Sequence, residues 1–202
     1  APCRPADRDL VMRNLTHVEG MALAALREGI RWGFESFPEY LDMLERSGVG
    51  PNVACFVGHS SVRTYVLGRD APRRAANAEE IAQMRAIVVD AMRAGACGFS
   101  TTTSGQHNGE NGIPMPSRMA DDAEMQALCG SLREVGRGVL MMTKGGGTPV
   151  PWIEGLAARA GRPFVVAALL HNNAAPESTF EDLADIGAAC ARGNRMYGGQ
   201  ST

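Results

Sequence analysis

The sequence predicts an α/β fold in which short parallel strands alternate with helices, on three observations. Five apolar runs of strand length start near positions 52, 97, 138, 163 and 195. Capped helical segments separate them, giving the βαβαβαβαβ rhythm of an α/β domain. Each run gives way to polar residues at its C-terminal end: His59, Ser100 with Thr101, Thr143 with Lys144, His171, and Gln200 with Ser201. In barrels and open α/β sheets, sites form along that edge. The runs are apolar rather than alternating, as expected of parallel strands covered on both faces.

Taken in order, residues 1–50 read as a helical segment. From Asp7, a plausible N-cap, Leu10, Val11, Asn14, Leu15 and Val18 fall on one helical face. Trp32 to Phe34 form an aromatic loop, and FPEYLDMLERSG sets Phe37, Tyr40, Leu41 and Leu44 on one side before stopping at Gly48. The βα units occupy 51–202. NVACFVGH (52–59) is a buried strand. The helix over 77–95 opens on the capping-box pair Asn77 and Glu80 and stops at Gly95. CGFST (97–101) is a short strand, 121–136 a helix, and GVLMMTK (138–144) a strand. PWIEGLAARAG begins a helix with Pro151 at or near its first position. PFVVAALLH (163–171) is the next strand, 179–193 a helix closed by Gly193, and RMYGGQ begins one more strand.

A doubly wound sheet usually carries a Gly-rich nucleotide loop after its first strand. GHSSVR is neither GxGxxG nor a Walker motif, and in TKGGGTP the lysine precedes the glycines. The barrel is therefore the expectation. A complete (β/α)8 barrel takes eight strands and about 250 residues, so about five strands predict part of one.

The 202 residues are 45% hydrophobic and 21% charged with net charge −2, so no basic footprint points to nucleic acid. No run of apolar residues is long enough to predict a membrane span, and the N-terminus lacks a signal-peptide pattern. The five cysteines are widely spaced without a CxxC pair, a usage that suits a reducing cytosol and predicts a cytoplasmic protein. Cys55 and Cys97 read as small core residues.

The strand-end residues carry the candidate chemistry. His171 reads either as a structural histidine closing a buried strand or as a metal ligand. Lys144 holds the equivalent place on the preceding strand, where a lysine is a ligand or base only if deprotonated or modified. His59 and Arg63 read as substrate or oxyanion contacts, or as a buried pair closing the rim. Ser100, Thr101 and His107 belong to a long polar loop of the kind that covers active sites. Ser100 has no evident His–Asp order, and GFSTT is not GxSxG. His17 reads as structural or surface. No paired carboxylates stand at strand ends, and the acidic residues read as solvated helix faces.

FESFPEYLDMLERSG, NVACFVGHSSVR, AEEIAQMRAIVVDAMRAGACGFST and ALLH, in that order, resemble the D-aminoacylase (N-acyl-D-amino-acid deacylase) group of the amidohydrolase superfamily. The likeness runs over roughly residues 1–193 and is most specific in VGHSSVR and AGACGFST. It implies a (β/α)8 metallohydrolase, usually with zinc, in which metal-bound hydroxide attacks the amide of an N-acyl amino acid and a late-strand Asp is the general base. On the resemblance, His171 is a metal ligand, and Lys144 stands where a ligating histidine is expected. Asn173 stands where a lysine helps hold the substrate carboxylate. The HxH pair, the ligating Cys and the catalytic Asp have no counterpart here; family order places them before Ala1 and after Thr202. The expectation is a segment of such an enzyme that alone is inactive and marginally stable. The alternatives are an inactive amidohydrolase-like binding or scaffold protein, or an α/β protein with an anion site at TKGGGTP.

Overall fold

A computed structural model describes residues 1–199. Five strands form one parallel sheet in the order β1 (Phe56–Gly58), β2 (Gly98–Thr102), β3 (Val139–Thr143), β4 (Phe164–Ala167) and β5 (Met196–Gly198). Among the described residues, each strand pairs only with its neighbours in sequence. Right-handed crossovers between sequential parallel strands put their helices on one side of the sheet, which is barrel winding rather than double winding. The expected strand-end residues Gln200 and Ser201 lie outside the described residues.

Three helices precede the sheet: α1 (Arg8–Val18), α2 (Leu23–Gly29) and α3 (Phe37–Ser47). Of these, the sequence pattern misses the short α2. In α3, Ser36 and Glu39 make a reciprocal capping box and Phe37 is buried. Two helices, α4 (His59–Leu67) and α5 (Ala78–Ala94), link β1 to β2. The expected Asn77–Glu80 capping box opens α5, and Gly95 at φ 130° ends it, a conformation side chains rarely adopt. Beyond β2 come α6 (Asp122–Val135), α7 (Val150–Ala160) and α8 (Ser178–Ala191).

In-register residues Val57, Phe99, Leu140, Phe164 and Met196 form a row across the sheet, each at most 2% exposed, and the helices cover it. The opposite row, Gly58, Ser100, Met141, Val165 and Tyr197, is half-buried to exposed. Burial in β3 and β4 therefore alternates despite an unbroken apolar sequence, whereas the composition of the strands predicts cover on both faces.

Two strands are shorter than the apolar runs suggest. Asn52 to Cys55 are irregular, and His59 opens α4 instead of ending β1. At the other edge β4 stops at Ala167, because Ala168 takes φ 56°, a left-handed conformation that turns the chain out of the ladder. The Leu169 amide then bonds to the Gly199 carbonyl at 2.9 Å.

Candidate functional site at the strand ends

A cavity of about 330 Å³ opens at the C-terminal ends of β1, β2 and β3, the edge at which barrels place their sites and a size suited to a small molecule. Gly58, Ser100, Thr102, Met141 and Thr143 supply its sheet side. Across from them stand Val11, Asn14, Leu15 and Val18 of α1. The apolar stripe predicted for α1 thus faces the cavity, and only Met12 of that helix is buried. His107, from the loop after β2, closes the third side.

That loop is tied down at two points. Ser117 donates to the Thr102 carbonyl at 3.1 Å, its amide donates to Ser60 Oγ at 3.2 Å, and Ser60 Oγ donates to Ser117 Oγ at 3.1 Å. Arg13 of α1 pairs with Glu110 at 2.8 Å. The rim of the cavity is therefore held by α1, α4 and the sheet together.

Behind β2, on the helix-covered side, lies a sealed polar cluster. His59 Nε2 is 2.7 Å from Glu124 Oε1, and His59 Nδ1 is 2.8 Å from Thr101 Oγ1. Arg63 donates through Nη1 to Glu124 Oε2 and through Nη2 to the carbonyls of Arg74 (2.7 Å) and Ala71 (3.2 Å). The side chains of His59, Arg63 and Glu124 have no solvent exposure. Burial pushes the His59 pKa below its ordinary 6.5, against the pull of Glu124. Burial also pushes Glu124 up, but the hydrogen bonds and charges of His59 and Arg63 outweigh it and hold the carboxyl below its ordinary 4.5. The cluster is then an Arg63–Glu124 ion pair with a neutral imidazole. A neutral His59 beside a carboxylate carries its proton on Nε2, so Nδ1 accepts from the Thr101 hydroxyl. Among the described residues, the buried Arg63 Nε has no hydrogen-bond partner.

Glu124 is the residue that sequence reasoning misses. Asp121-x-x-Glu124 reads as a capping box, and Asp121 does accept the Glu124 amide at 2.9 Å. The Glu124 side chain turns inward instead of back to the cap. A usable signal exists in α4, where Arg63 shares an apolar stripe with Val62 and Leu67. A buried arginine requires a buried carboxylate, but nothing in the pattern says which of 22 acidic residues supplies it.

The structure brings His59, Ser100 and His107 together around the cavity and sets Arg63 behind them. Lys144, His171 and Asn173 do not line it. Lys144 Nζ pairs with Asp182 Oδ2 of α8 at 3.0 Å. His171 is exposed, four residues past the end of β4, with Nε2 3.0 Å from Asn173 Oδ1. In the loop after β3, the Gly145 amide donates to Thr103 Oγ1 at 2.9 Å and Thr148 Oγ1 to the same oxygen at 2.8 Å. A Cβ at Gly145 would collide with the Thr103 carbonyl, so close packing on β2 accounts for that glycine. Among the described residues, no group of three or more His, Cys, Asp or Glu side chains is placed to hold a metal ion, and no helix is long and apolar enough to cross a membrane.

No family model matches the chain. A D-aminoacylase of Alcaligenes xylosoxydans xylosoxydans is 46% identical over 79 residues, which are 39% of this chain and 16% of that protein. A solved D-aminoacylase, described as defining a novel subset of amidohydrolases, superposes with a TM-score of 0.69 at 26% identity, over 83% of this chain and 34% of its own. An N-acyl-D-glutamate deacylase from Bordetella bronchiseptica, solved with zinc and a phosphonate mimic of the tetrahedral intermediate, gives 0.65 at 26%, over 82% and 34%. The chain is thus similar to a segment of the D-aminoacylase and N-acyl-D-amino-acid deacylase proteins. It spans about a third of those solved chains, and its five parallel strands match part of the D-aminoacylase barrel.

Proposed function

We propose that this chain is a segment of a metal-dependent amidohydrolase that hydrolyses the C–N amide bond of an N-acyl amino acid or a related amide. One observation carries the reading. The motifs of the resemblance, GHSSVR and GFST, fall on neighbouring strand ends beside a cavity of small-molecule size, in a chain that superposes on D-aminoacylase. In this reading Ser100 and His107 contact the substrate in the cavity. His59 backs the cavity wall from behind through its bond to Thr101, and Arg63 braces it through Glu124. Asn173, uncharged, contacts His171 outside the cavity.

The residues in hand do not make up a zinc site. His171 offers one imidazole. Lys144, paired with Asp182, would have to lose its proton and its partner before it could ligate. Zinc sites of the catalytic type take three protein ligands and a water, so no step through the metal is derived from these side chains. The Lys144–Asp182 pair favours a second reading, an amidohydrolase-like binding protein without turnover.

The test uses the intact protein that carries this segment. N-acetyl-D- and N-acetyl-L-amino acids are supplied with and without a chelator, and release of free amine is followed. Turnover lost on chelation and restored by zinc supports the proposal. Saturable binding of the same compounds to zinc-loaded protein without turnover supports the second reading, and neither binding nor turnover overturns both.

A further inference from the structure

Two cysteines stand side by side at the end of the sheet opposite the cavity. Cys55 precedes β1, Cys97 precedes β2, and the Cys97 amide donates to the Cys55 carbonyl at 2.9 Å. Chains joined in this way run about 5 Å apart, inside the Cα separation of about 4.4–6.8 Å that a disulfide bridges. Both thiols are free and half-buried, whereas Cys129 is fully buried, and burial pushes its thiol up to about 12. Neither cysteine belongs to the cavity or the polar cluster.

We propose that Cys55 and Cys97 are a modification site, a dithiol that a hydroperoxide closes into a disulfide stapling β1 to β2. One thiolate attacks the peroxide; the O–O bond breaks, leaving an alcohol and a sulfenic acid. The second thiolate attacks that sulfur, the S–S bond forms and water leaves. The two thiols surrender two electrons, the hydroperoxide takes them, and one alcohol and one water result per disulfide. Burial holds the Cys97 thiol above its ordinary 9.0, and the nearby Cys55 sulfur adds to the shift. Closure is therefore expected to accelerate as pH rises above neutrality.

Cys3 is the competing partner, because the buried Ala1 amine feels both Cys3 and Cys55. The experiment treats the purified chain with tert-butyl hydroperoxide, alkylates the remaining thiols and maps tryptic peptides without reduction. The expected result is a fall from five free thiols to three and a linked pair, Ser47–Arg63 with Ala94–Arg118. Tm should rise by about 10 °C and return with dithiothreitol. Cys97→Ser should abolish the rise and Cys3→Ser should keep it. Five alkylated thiols after treatment, a link to Cys3, or sulfinic acid on unlinked peptides would each overturn the proposal. The mapping is done on the unaltered chain, so it decides the matter even if Cys97→Ser does not fold.

Discussion

At the β1–β2 end of the sheet, His59, Arg63 and Glu124 are sealed from water and bonded to one another; at the β4–β5 end, His171 is exposed, and so are Leu170, Phe180, Leu183 and Tyr197 of the same βαβ unit. Both ends begin from the same sequence device, a histidine following an apolar run. The outcome depends on what a distant element supplies. The helix α6 delivers a carboxylate to His59 across 65 positions of sequence. Among the described residues, His171 receives a hydrogen-bond partner only in Asn173, two residues away. A strand-end histidine is thus fixed by its partner, not by its strand.

The largest effect that would break this contrast is at Glu124. Glu124→Ala leaves Arg63 charged and unpaired in the interior, so a loss of about 3–5 kcal/mol in urea-unfolding free energy is expected. A loss below about 1 kcal/mol would mean that water reaches the cluster.

Next comes the response to acid. The folded-state pKa of His59 lies below its unfolded value, so protons bind the unfolded chain first as pH falls below about 6.5 and stability drops. Glu124, also lowered, adds a second loss as pH falls below about 4.5. Tm measured from pH 8 to pH 4 should decline in both windows. His59→Gln should flatten the upper one, and a decline that survives this change would place its origin elsewhere.

Lys144→Met should cost about 1 kcal/mol or less, because the pair with Asp182 is only partly buried. A larger cost by thermal unfolding would bring the β3 end closer in kind to the sealed cluster. The smallest effect is expected at the open end, where His171→Ala should shift stability by no more than about 0.5 kcal/mol. A shift of about 2 kcal/mol would show that His171 is held more firmly than its contact with Asn173 indicates.

The fold was legible to the extent that its signals are local. The α5 capping box, the glycine stops and the five apolar runs all correspond to observed elements, and the absence of a nucleotide loop pointed to barrel winding. The extra residues assigned to β1 and β4 were not legible. Asn52 to Cys55 and Leu169 to Leu170 are apolar enough for strands, but pairing partners and the left-handed Ala168 decide where a ladder ends. Alternating burial was hidden for a similar reason: Val139, Met141 and Val165 are as apolar as the residues facing the helices. In the candidate site, the cavity edge was visible as polar strand ends. Glu124 was concealed because one residue type serves both as helix cap and as buried counterion.

The sequential order β1 to β5 also bears on how the chain assembles. No strand waits for a partner more than one unit away, so the sheet can grow by accretion without threading any segment between strands already placed. The shortest connection joins β3 to β4, and loop closure costs least there. Pulsed hydrogen exchange during refolding should find Leu140 and Val166 protected before Val57, making the middle of the sheet, rather than the better-sealed edge, the place where order begins.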